Sequence, residues 1–166
     1  MASPVGFAQN RRPIAALRVA VRDAGYNGER VAMMVGADVP RINAVSEVTR
    51  EVLVQLGLNV DYQTTDWNSV IGRLTNRRPV GEGGWSCYCT YWSGMDQWTP
   101  GPHAFLRANG ARGASGWPDS PAIEALRADW LAAPDEAAQR RVAAALQRDR
   151  PAARTSARAP TGRSAR

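Results

Sequence analysis

Three observations predict an α/β fold with a mostly parallel sheet. Residues 30–35 are a short, largely apolar run of the kind a buried strand shows, and residues 58–63 read as a second strand. Between them Ile42, Val45, Val48, Val52 and Leu56 recur at helical spacing, so strand, helix and strand follow within about 35 residues, the span of a parallel βαβ crossover. A third strand is expected over residues 85–92. There Trp85, Cys87, Cys89 and Tyr91 alternate with Ser86, Tyr88, Thr90 and Trp92 at a period of two.

The elements follow in order. Residues 1–12 show no periodicity and form a loose lead-in. Residues 13–24 read as a helix with Pro13 in its first turn and Ile14, Leu17 and Val21 on one side. Gly25 ends it, because glycine adopts the left-handed conformation cheaply. Asp38 is expected to cap the helix that begins near Pro40, with the Ile42, Val45, Val48, Val52, Leu56 stripe inward and Gly57 as its stop. Asp66 caps the next helix, 67–74, with Val70, Ile71 and Leu74 inward. Residues 77–83 form a polar Pro/Gly loop that delivers the third strand.

That strand breaks at Ser93-Gly94, and the turn Thr99-Pro100-Gly101-Pro102 leads into a short helical piece at Ala104-Phe105-Leu106. Residues 107–116 are glycine-rich and read as loop. Ser120 and Pro121 have the N-cap and first-turn chemistry of another helix, whose buried stripe is Ile123, Leu126, Trp130 and Leu131. Pro134-Asp135 interrupts the chain before a last helix carrying Ala138, Val142, Ala145 and Leu146.

Charge is unevenly spread. The net charge is +6, but residues 148–166 hold six arginines against Asp149, so the tail accounts for +5 of it. All 21 basic residues are arginine, which fits a coding-sequence bias better than a function. Beyond residue 150 there is no aromatic residue and no Val, Ile or Leu. The tail, 149–166, is therefore expected to be disordered and dispensable, with residues 13–148 as the folded lobe. Its arginines suggest one alternative function, a basic-tailed nucleic-acid-binding module, although no sequence-reading motif accompanies them.

Catalysis is not expected. His103 is the single histidine, and no Ser-His-Asp or Cys-His pairing has a partner at a supporting spacing. The loop Gly81-Glu82-Gly83-Gly84 lacks the phosphate-cradling pattern. Cys87 and Cys89 share a strand face, where a bridge closing so small a loop is strained, so they read as small buried hydrophobes. With His103 they lack metal-site spacing and a fourth ligand, so neither a metal nor a cofactor is expected. No stretch of residues 1–12 has the apolar core of a signal peptide, so the chain as given is expected to stay cytoplasmic if made.

The densest segment is 84–106, which holds six of the twelve aromatic residues. Within it Tyr91-Trp92-Ser93-Gly94-Met95-Asp96 resembles the ligand-lobe segment of family 5 solute-binding proteins, the dipeptide/oligopeptide-binding components of ABC importers. Ala24-Gly25-Tyr26-Asn27-Gly28-Glu29, Asn59-Val60-Asp61-Tyr62-Gln63, Thr65-Asp66-Trp67, Gly116-Trp117-Pro118 and Ala132-Ala133-Pro134-Asp135 match it in order. The resemblance covers roughly 13–148 and only part of the family's C-terminal half. It stops where a truncated or frame-shifted coding sequence would end it.

The resemblance implies a partial periplasmic-binding-protein type II lobe. It implies a peptide or other small solute as ligand and a missing partner lobe. For the full-length parent it implies a periplasmic location and docking on an inner-membrane permease. It implies ligand contacts at Trp92, Ser93, Gly94, Asp96 and Trp98, with Asp96 pairing with the solute's α-ammonium group. Met95 adds one position before that aspartate. The bland reading of Asp96 is that it caps the turn into Thr99-Pro100.

Overall fold

The computed structural model describes residues 12–149, which divide into two compact units meeting in sequence between Trp92 and Ser93. The expected lead-in and the arginine-rich tail fall almost wholly outside the described residues.

The first unit is built on a three-stranded, all-parallel sheet of order β2-β1-β3, formed by β1 (Arg30–Gly36), β2 (Asn59–Thr65) and β3 (Cys87–Tyr88). The α/β class and the parallel pairing expected from the sequence are both observed. Seven residue pairs from Arg30↔Asn59 to Gly36↔Thr65 set the β1/β2 register, and Met33↔Cys87 and Met34↔Tyr88 set that of β1/β3. As the middle strand, β1 is covered on both faces, and residues 32–36 are all buried. A near-continuous apolar run is what such a position requires.

Helix α1 (Ile14–Asp23) ends as expected, with Gly25 at φ +90°. It buries no residue; Leu17 and Val21 are half-buried and Ile14 is exposed. Arg18 donates from Nε and NH2 to the Gln55 carbonyl at 3.0 and 2.6 Å, placing a cation on the last carbonyls of α2. The Tyr26 hydroxyl donates to the Glu29 carbonyl (2.6 Å) and accepts from the Asn59 amide (2.8 Å). One phenol thus ties the starts of β1 and β2 together.

Helix α2 (Pro40–Gln55) differs from expectation in two ways. Its N-cap is Val39, with no side-chain cap, while Asp38 Oδ1 accepts from the Trp67 amide at 2.7 Å. Asp38 therefore serves the helix after the second strand, because Ala37 pairs with the Thr65 carbonyl and brings the two strand ends together. The buried face is also rotated. Ile42 and Ser46 are buried and Thr49, Leu53 and Leu56 half-buried, whereas Val45, Val48 and Val52 are exposed, Val48 by 66%. The small Ser46 lets the helix backbone approach closely, a preference that apolar content alone does not reveal.

Helix α3 (Trp67–Arg73) is capped by Asp66 as expected, its carboxylate accepting from the Ser69 amide at 2.9 Å. Val70 is buried and Leu74 half-buried, but Ile71 is exposed. The loop that follows contains a 3-10 turn at Val80–Glu82. It is held by Arg73, which donates to Gln63 Oε1 (2.9 Å) and to the Gly83 and Gly84 carbonyls (3.2 and 3.3 Å).

The third strand is shorter than the expected 85–92. Just before it Ser86 meets Ala32 twice, its amide donating to the Ala32 carbonyl at 2.9 Å and its hydroxyl accepting from the Ala32 amide at 3.1 Å, while pairing with β1 stops after Tyr88. Trp85 consequently precedes the strand, and its ring meets Tyr88 edge-on at 5.5 Å, although strict alternation would put the two on opposite faces.

In the second unit, 3-10 turns at Met95–Gln97, Ala104–Leu106 and Gly110–Arg112 precede α4 (Pro121–Ala132) and α5 (Glu136–Asp149). Ser120 Oγ accepts from the Ile123 amide (3.4 Å) and Asp135 Oδ1 from the Ala138 amide (2.7 Å), so both helices start where expected. Their core is Ala108, Ile123 and Leu146 with Leu126 against it; Leu131, expected inward, is exposed.

Candidate functional site

The five residues marked by the resemblance lie in one run that crosses the division of the chain. Trp92 is the last residue of the first unit, beyond the end of β3, and is 53% exposed. Ser93, Gly94, Asp96 and Trp98 open the second unit, around the 3-10 turn Met95–Gln97. Ser93 starts that turn: its carbonyl accepts from the Asp96 amide at 3.2 Å and its hydroxyl from the Met95 amide at 3.3 Å. The Gly94 carbonyl then accepts from the Gln97 amide at 3.2 Å. Gly94 itself has φ −59° and ψ −28°, an ordinary helical conformation.

Asp96 is exposed, and among the described residues its carboxylate has no hydrogen-bond or ion-pair partner. It sits inside the 3-10 turn, and no side-chain cap hydrogen bond precedes that turn. Trp98 is 67% exposed. A carboxylate without a protein partner and an open indole, two residues apart, can serve a cation with an apolar flank.

Sequence reasoning passed over Gln97, whose Nε2 is buried with no hydrogen-bond partner among the described residues. Its position between Asp96 and Trp98 was the available signal. The turn after Trp98 is anchored by Arg127 on α4. Its guanidinium donates to the Pro100 and Gly101 carbonyls at 3.3 and 3.2 Å and to both Glu124 oxygens at 3.1 and 2.9 Å.

Cys87 and Cys89 are free and half-buried, and the Cys89 and Thr49 side chains meet at 3.4 Å. Burial, and then the neighbouring Cys89, push the Cys87 thiol above its ordinary value. Among the described residues no three His, Cys, Asp or Glu side chains gather as a metal site, and no helix is long and apolar enough to cross a membrane.

No family model matches the chain. It is 32% identical over 110 residues to a curated protein of Sinorhizobium fredii named as a probable peptide ABC transporter periplasmic-binding protein. The match takes in 66% of this chain and spans 21% of that relative. The resemblance seen in the motifs is thereby shown: the chain is related to a segment of a peptide ABC transporter periplasmic-binding protein, whose name describes transport and not an enzyme.

Proposed function

From this relationship to a periplasmic peptide-binding protein, we propose that the chain contributes ligand contacts to the substrate-binding component of a family 5 peptide importer. The ligand is a peptide or similar small solute with a free amine. The partner of the whole binding protein is an inner-membrane permease, and its working compartment is the periplasm. The observation that carries the proposal is the 110-residue match to that periplasmic-binding protein.

In this reading Asp96 receives the ligand's ammonium group through a charge-assisted hydrogen bond, and Trp98 covers its apolar flank. Ser93 and Gly94 form the turn that offers the carboxylate. That Asp96 has no side-chain partner among the described residues supports this, since a carboxylate already paired would have to break that pair first. Titration calorimetry with trialanine tests it. Asp96→Asn should weaken binding by about 1.5 kcal/mol, the lower end for a charged hydrogen bond because the residue is exposed. N-acetyl-trialanine, which has no ammonium group, should bind wild type and Asp96→Asn equally. Equal trialanine affinity for the two proteins contradicts the role of Asp96.

A further inference from the structure

Arg127 is buried one turn after Ile123 on the inward face of α4, and its location has a cost that its hydrogen bonds must offset. Four of them are present, and they fall into two groups. Two run from the single nitrogen Nη1 to both carboxylate oxygens of Glu124, one turn earlier on the same helix, at 3.1 and 2.9 Å. The other two leave the helix for the Pro100 carbonyl (from Nε, 3.3 Å) and the Gly101 carbonyl (from NH2, 3.2 Å).

Glu124 is itself engaged by the Ala108 amide at 2.7 Å, so the pair ties together α4, the turn at 99–101 and the backbone at Ala108. Pro100 and Pro102 bring no amide to the turn, and a 3-10 turn of three residues precedes it. Gly101 lies so close to α4 that an added Cβ would come within 3.6 Å of the Trp130 ring and 3.7 Å of Leu131.

We infer that Arg127, seated on Glu124, is a positioning residue that fixes the turn at 99–101 and with it the far end of the run that carries Asp96 and Trp98. The inference rests on the peptide-binding reading of that run. A planar guanidinium is required because only its fork satisfies one carboxylate and two separate carbonyls at once; a lysine ammonium keeps the charge but not the fork. The turn is thus set by a residue that no ligand touches, and affinity depends on it through geometry.

Amide NMR spectra of the full chain, with Arg127→Lys and Arg127→Met, test this. In both variants the amide signals of residues 95–99 and 101 should move toward random-coil positions, while those of β1 and of α4 hold theirs. Trialanine affinity should fall by about fivefold or more in Arg127→Lys, the equivalent of one lost hydrogen bond. Unmoved turn signals would overturn the inference, as would turn signals that move while trialanine affinity stays at the wild-type value. Loss of the α4 signals in both variants would also overturn it, making Arg127 a plain support of the helix. Should Arg127→Met fail to fold, Arg127→Lys decides alone. A wild-type chain that takes no trialanine contradicts the peptide reading separately, and the anchoring of the turn then stands or falls on the amide signals.

Discussion

Met33→Ala probes the strand on which the first unit is built. Met33 is fully buried in β1, with Tyr62 in register on one side and Cys87 on the other. The substitution removes three heavy atoms from the core, worth about 2.4 kcal/mol at roughly 0.8 kcal/mol for each buried methylene-sized group. A cavity term adds to this. It is sizeable here because a middle strand hydrogen-bonded on both sides cannot collapse into the space, so the total should reach about 3–4 kcal/mol. Met95→Ala is the internal control. Met95 is 80% exposed on the 3-10 turn, and its truncation should change stability by less than about 0.5 kcal/mol. Urea denaturation followed by far-ultraviolet circular dichroism measures both. A loss below about 1 kcal/mol for Met33→Ala, or equal losses for the two variants, would refute the placement of β1 at the centre of the core.

Gly84→Ala should cost about 1–3 kcal/mol in the same assay, because its Cβ would run into the Arg78 carbonyl, which is backbone and cannot rotate away; an unchanged midpoint would contradict this loop geometry. The Asp66 carboxyl is held below 3.8 by the Ser69 hydroxyl and then by the Ser69 amide. A depressed folded value means that its contribution is complete above the unfolded pKa and is lost as pH falls through the lower folded one. Its carboxyl-carbon NMR titration should therefore have a midpoint below that of an unfolded aspartate, rising in Ser69→Ala, and the same midpoint in wild type and Ser69→Ala would contradict the cap. For Cys87 the sign reverses. Burial first and Cys89 second raise its pKa, so the stability tied to it is full below the unfolded value and is lost as pH rises through the folded one. Alkylation by iodoacetamide, resolved by peptide mass, should be slower at Cys87 in the folded chain than in urea and faster again in Cys89→Ser; equal rates folded and unfolded would contradict its burial.

What was legible in the sequence was local. Gly25, Asp66, Ser120 and Asp135 each act on an amide or a dihedral within a few residues, and each is found where turn and cap chemistry puts it. Strand β1 was legible because a covered middle strand must be apolar, and the intervening helix left only a parallel pairing with the half-buried, mixed-polarity β2. What was missed depends on partners distant in sequence. Asp38 could cap α2 by position, but the pairing of Ala37 with the Thr65 carbonyl delivers it to the Trp67 amide instead. The valine stripe of α2 has ideal spacing, yet the sheet takes the Ile42, Ser46 face because a serine permits close approach. Strand β3 was read too long because alternation shows an extended tendency but not where pairing with β1 stops, which is at Tyr88. Among the residues of the candidate run the motif pointed to Asp96 and Trp98, whereas Arg127, 26 residues beyond Gly101, carries no motif at all.

The proposal that this chain contacts a peptide's free amine through the run 92–98 is tested most directly by mapping amide shifts as trialanine is added. Saturable shifts concentrated on residues 92–98, absent in Asp96→Asn and absent with N-acetyl-trialanine, are the predicted result. Shifts spread elsewhere on the chain, or identical for the blocked peptide, would contradict it.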